Sequence, residues 1–177
     1  MTKGRAARKG IGAIVLATAA MLAAGATPVG AYGHVDTSGP LRDLQPATAQ
    51  PTDGAWARLI ALPLRDSTRF ILIMGGLDRE AAGTTLGAHI HVGPCLEGNG
   101  AAAGPHYNTT GATLPADTHH EVWLDFTIRP SGYAVSQVTV PFIIESGDAQ
   151  SLVIHAMPTE EGTGLAGARW ACLPVEF

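Results

Sequence analysis

Three histidines and a cysteine crowd one short stretch of this chain. Residues 88–95 read Ala-His-Ile-His-Val-Gly-Pro-Cys, and a Gly/Ala-rich run follows. Residues 103–108 then read Ala-Gly-Pro-His-Tyr-Asn. His89 and His91 are two apart on a run with strand character, so a pleat points both rings to one face. A third imidazole, His106, follows from the next loop. Two rings aimed at one point and a third arriving beside them have the makings of a metal site. His155 lies within Ser-Leu-Val-Ile-His-Ala-Met, on the strand face opposite Ile154. Alone it reads as a hydrogen-bonded core histidine. With His89, His91 and His106 it completes a set of four nitrogens, which in a flattened arrangement suits Cu(II) better than zinc.

The elements that must hold these rings read as strands. Residues 56–62, 68–74, 84–92, 121–128, 135–144, 151–157 and 169–175 read as short strands, with clear alternation over 121–128, where Val122, Leu124, Phe126 and Ile128 share one face. Pro63, Gly75-Gly76, Arg129-Pro130-Ser131-Gly132 and Ser146-Gly147-Asp148 separate them as turns. Residues 135–144 are expected to return as the hairpin partner of residues 121–128. No segment past the N-terminal apolar run shows a 3.6-residue apolar period. The fold class predicted is all-β, an antiparallel sandwich or barrel. Trp56, Trp123 and Trp170 read as core or edge residues, and Glu121 and Asp125 as parts of a strand rather than a catalytic carboxylate pair.

The N-terminus has a different composition. Lys3, Arg5, Arg8 and Lys9 precede an uncharged apolar run, Ile11 to Gly25, and a small-residue stretch ending Pro28-Val29-Gly30-Ala31. This order is that of an export signal, and the apolar run is short for a membrane span. Residues 1–31 are therefore expected to be a cleaved signal peptide. Residues 32–53, rich in Pro, Ala, Thr and Gly, are expected to be a flexible linker, and residues 54–177 the folded domain. Cleavage would place the protein outside the cell or in the cell envelope, with no stable membrane span. It removes 4 of the 11 basic residues and none of the 15 acidic ones, leaving a net charge of −8. Such a composition, with no basic cluster, argues against nucleic acid as a partner. Two cysteines, Cys95 and Cys172, in an exported chain suggest one disulfide. A chain starting at Tyr32 would offer a free amine, two backbone amides and His34. Tyr32-Gly33-His34 is thus a second, speculative Cu(II) or Ni(II) site.

His89-Ile90-His91, Gly104-Pro105-His106-Tyr107-Asn108, Leu152-Val153-Ile154-His155-Ala156 and Gly167-Ala168-Arg169-Trp170-Ala171-Cys172 resemble the copper/zinc superoxide dismutases. The likeness runs from about Ala55 to Val175. It implies a Greek-key β-sandwich with copper on His89, His91, His106 and His155. It implies a disulfide from Cys95 to Cys172 that ties the metal-site loop to the last strand. Superoxide would be the substrate, turned into dioxygen and hydrogen peroxide. His106 would release reduced copper and carry a proton, and Arg169 would orient the anion at the open position.

The family's zinc ligands do not carry over as a set. With Gly132 as anchor, the aspartate position falls on Val122 and the two histidine positions fall near Thr110 and on His119. His119 is a possible remnant; with Asp117 and His120 it otherwise reads as a solvated loop. Glu160 or Glu161 would orient His106 in place of the aspartate that links the two metals in the zinc enzymes. The reading that follows is a copper-only superoxide dismutase with an open site and doubtful zinc. The alternative is a copper-binding domain of the same fold without turnover.

Overall fold

Strand β3 (Trp56–Pro63) shows how this sequence builds a sheet: Ala57, Leu59 and Ala61 are buried, while Trp56 and Arg58 face out. Strand β4 (Thr68–Gly75) does the same with Phe70, Leu72 and Met74 turned inward. The computed structural model describes Met1 and residues 34–177. Besides β3 and β4, the strands are β1 (Val35–Pro40), β2 (Arg42–Asp43), β5 (Thr85–Leu86), β6 (Ala88–His91), β7 (Phe126–Thr127), β8 (Ala134–Val140), β9 (Ser151–His155) and β10 (Arg169–Pro174). Single 3-10 turns at Arg79–Ala81 and Gly100–Ala103 are the other regular elements among the described residues. None of the described helices is long and apolar enough to cross a membrane.

The strands form two four-stranded sheets, β1-β3-β4-β8 and β2-β10-β9-β6, with a separate β5-β7 pair. Every pairing is antiparallel. Phe70, Leu72 and Met74 from the first sheet meet Ile90, Leu152 and Ile154 from the second in one apolar core. The predicted all-β sandwich is thus the observed fold.

The second sheet is buried on both faces. All four residues of β6 and all five of β9 are buried. Ala88, Ile90, Leu152 and Ile154 face the main core. On the other face Val153 packs with Leu44, Cys95, Ala103 and Cys172 in a second, small cluster. His89, His91 and His155 share that outer face, because the register sets His89 opposite Val153 and opposed residues in a ladder point the same way. The loop that covers this face is pinned by the Cys95–Cys172 disulfide, whose Cα atoms are 5.7 Å apart.

Three sequence expectations are corrected. Part of the segment read as a linker is sheet: β1 pairs with β3 over Val35–Ala61 to Pro40–Trp56, and β2 pairs with β10. Gly39 and Pro40 are tolerated because β1 is an edge strand. Residues 121–128 form strand only at Phe126–Thr127, since the preceding residues bend round the histidine rings. Residues 134–140 pair with β4 and not with β7, which pairs with β5. The Arg129–Gly132 turn is present, but it hands the chain from the β5-β7 pair to β8 at the edge of the first sheet. The residues expected to form a signal peptide lie outside the described residues, Met1 excepted.

Candidate metal centre

Strand pairing delivers the first three rings. β6 carries His89 and His91, and the amide of His155 bonds to the carbonyl of Gly87, which sets the end of β9 beside the start of β6. His106 comes from the loop. A bridge pairs it with His91, after a reversal that needs glycine at two points. A Cβ on Gly93 would lie 2.2 Å from the carbonyl oxygen of Ala102, and Gly104 has φ +68°, a conformation that costs other residues energy. The four ligand nitrogens lie within 4.8 Å of one another.

The hydrogen bonds decide what those nitrogens offer. His89 Nδ1 and His106 Nε2 are 2.9 Å apart, and His91 Nε2 and His155 Nε2 are 3.2 Å apart. Each ring's other nitrogen meets an oxygen: His89 Nε2 the Thr159 hydroxyl at 2.6 Å, His91 Nδ1 the Gly104 carbonyl at 3.0 Å, His106 Nδ1 the Glu121 carboxylate at 2.9 Å, and His155 Nδ1 the Gly167 carbonyl at 3.4 Å. Three of these oxygens can only accept. The Thr159 hydroxyl donates to Asp125, so it too accepts from the ring. Each imidazole therefore spends its N–H outward and turns a lone pair inward. Two pairs of inward nitrogens about 3 Å apart, all four within 4.8 Å, repel unless a cation sits among them. Ligands on adjacent positions round an ion with bonds of ~2.0 Å have that spacing. The donor set fits a metal ion.

Burial keeps His89, His91 and His155 neutral. Burial first, then the neighbouring imidazoles, pushes His91 down to about 2 and His89 well below the usual histidine range. Burial likewise pushes His155 down to about 4, against the opposing bond to Gly167. A metal therefore finds these three ligands already deprotonated.

A further set of residues holds these rings. Burial raises Glu121, but hydrogen bonds from His106, Trp123 and Asn108 outweigh it, and the carboxyl stays below its ordinary range. Trp123 donates Nε1–H to the same oxygen at 2.8 Å, and Asn108 donates to the other at 3.3 Å. Asp125 fixes Thr159 through its amide and its hydroxyl. From sequence Trp123 reads only as a core or edge residue and Glu121 and Asp125 only as parts of a strand; their hydrogen bonds to the site correct that reading, and Thr159 has no sequence signal. The expectation that Glu160 or Glu161 orients His106 is corrected. Both are exposed, Glu160 bonds Thr163, and Glu121 takes that role because the loop before β7 wraps inward.

Arg169 sits opposite His155 across the β9–β10 ladder, next to a bulge at Trp170 of the kind that re-aims a side chain. Its Nη1 donates to the Gly100 carbonyl at 2.7 Å. With His106, His155 and Glu121 it lines a cavity of about 310 Å³. His119 stays apart: it is exposed, its amide bonds Asp117, and it flanks a shallow hollow with Ser67 and Val140. His120 bonds Asp117. Of the N-terminal site, Tyr32 and Gly33 lie outside the described residues, and His34 borders a hollow with Asp36 and Glu176.

Fold and site together define an antiparallel β-sandwich with a four-histidine group able to bind a metal ion. The structure of a double mutant of a SOD-like protein from Bacillus subtilis, in which a tyrosine and a proline are each replaced by histidine, superposes with a TM-score of 0.53 at 16% identity, covering 80% of this chain and 95% of that one. No protein-family model and no curated protein matches the sequence.

Proposed function

We propose that this chain is an exported, copper-dependent superoxide dismutase. The observation that carries the reading is the set of four imidazoles with outward nitrogens tied down and inward nitrogens converging. Four nitrogen donors favour copper among the first-row metals. Copper held there supplies one-electron chemistry: one superoxide gives up an electron and leaves as dioxygen, and a second takes it up and leaves with two protons as hydrogen peroxide.

The side chains do the rest. Burial of His89 and His91 excludes water from one side of the centre. His106 and His155 border the cavity, so an anion reaches the centre from there. Arg169 supplies the positive charge in that wall and orients a small anion. His106 is the ring placed to carry a proton at Nε2, while Glu121 keeps the proton at Nδ1 and stabilises the ring when both nitrogens are protonated.

The reading is copper-only. A histidine bridging two metals needs both ring nitrogens free, and His106 gives Nδ1 to Glu121. Of the family's three other zinc positions, one holds Val122, one falls near Thr110, and the third, His119, is exposed and borders a separate hollow. Loading purified protein with both metals and quantifying each tests this. About one copper and no tightly held zinc per chain is expected, and one tightly held zinc per chain would overturn it.

A further inference from the structure

The cavity beside Arg169 is far larger than superoxide requires. Water occupies about 30 Å³ of liquid, so an anion of two oxygen atoms fills a minor part of about 310 Å³. The remaining wall is chemically specific. Pro105, Leu165 and Ala166 give it an apolar side, and Leu165 is two-thirds exposed at that surface. Arg169 is the one guanidinium or ammonium in the lining. It ties Nη1 to the Gly100 carbonyl, and its other N–H groups have no partner among the described residues. The one carboxylate in the lining, Glu121, is taken up by His106, Trp123 and Asn108. Glu160 and Glu161 lie outside it.

We infer that this cavity binds a monocarboxylate carrying an apolar ring, of about the size of benzoate, with the carboxylate on Arg169 and the ring against Leu165, Pro105 and Ala166. A guanidinium matches a planar carboxylate through paired N–H donors. A single cation selects a single negative charge, which disfavours phosphates and dicarboxylates. The apolar wall rewards a ring and gives nothing to acetate beyond its charge. A ligand so placed stands between solvent and His106 and His155, and so excludes superoxide.

Calorimetric titration of the full chain with benzoate, acetate and benzyl alcohol tests this, first without metal and then with copper. Benzoate is expected to bind at least tenfold more tightly than either of the others. Arg169→Gln is expected to weaken benzoate at least tenfold, and Leu165→Ser to bring benzoate close to acetate. Equal affinity for benzoate and acetate, or benzoate binding unchanged in Arg169→Gln, would overturn the inference. Should a variant fail to fold, the three ligands on the unaltered chain decide the matter. The metal-free titration reads neither copper nor superoxide, so its failure and that of the copper reading are distinguishable.

Discussion

The Glu121 carboxylate accepts the Nδ1–H of His106 at 2.9 Å, in a site where Glu121 is 2% exposed. The same carboxylate holds Trp123 and Asn108, so one buried charge organises the loop that brings in the fourth ligand. Glu121→Ala strands three donors. Hydrogen bonds to a charged group contribute about 1.5–3 kcal/mol each, and partial relaxation leaves an expected destabilisation of roughly 3 kcal/mol. Urea unfolding of the metal-free protein measures it. Glu121→Gln keeps the shape and loses the charge, and is expected to hold copper more weakly by about 10–100-fold in a chelator competition.

Thr159 and Asp125 hold His89 in the same way from the other side. Thr159→Val keeps the volume and removes the acceptor for His89 Nε2–H. Copper affinity is expected to fall by about 10–100-fold, with little change in the far-ultraviolet circular dichroism spectrum. Asp125→Asn is expected to give a smaller loss, because the hydroxyl itself remains. Affinity equal to the parent in both variants would mean that packing alone orients His89.

The buried rings make the metal-free fold sensitive to acid. In the unfolded chain a histidine titrates near 6.5. Burial holds His155 at about 4, His91 at about 2 and His89 well below its ordinary value. Between those values the unfolded state binds more protons, so stability rises with pH. It is complete above about pH 6.5 and is lost as pH falls from there toward 4 and below. Each such group contributes a slope of up to about 1.4 kcal/mol per pH unit. Urea midpoints of the metal-free protein at pH 7, 6 and 5 are expected to fall in that order, and bound copper is expected to flatten the trend.

The Cys95–Cys172 bridge closes a loop of 77 residues. Chain-entropy reasoning assigns a closure of that length about 4.5 kcal/mol. The Cys95→Ala, Cys172→Ala double variant is expected to lose roughly that amount in urea unfolding. It also frees the cluster of Leu44, Ala103 and Val153 and the Gly100 carbonyl that steadies Arg169.

What sequence made legible was local or strongly patterned. The apolar runs of β3 and β4 are bounded by Pro63 and by Gly75-Gly76 within a few residues each, and the four histidines stand in motifs that announce themselves. What it hid depends on distant neighbours. Residues 35–43 are poor in apolar side chains and become strand because β3 and β10 offer them partners. Glu121 lies 15 residues from His106 and Asp125 lies 34 from Thr159, distances across which no spacing rule operates. The alternation over residues 121–128 reports real burial of Val122, Leu124, Phe126 and Ile128. Most of that burial occurs without a ladder, because the same segment must also turn Glu121 and Trp123 toward the rings.

The most direct measurement is superoxide consumption by the copper-loaded protein against a His155→Ala form loaded in the same way. Loss of the fourth nitrogen is expected to lower the rate by at least a hundredfold while the fold persists. Equal rates in the two proteins, or no consumption by the parent with copper bound at one per chain, would contradict the assignment.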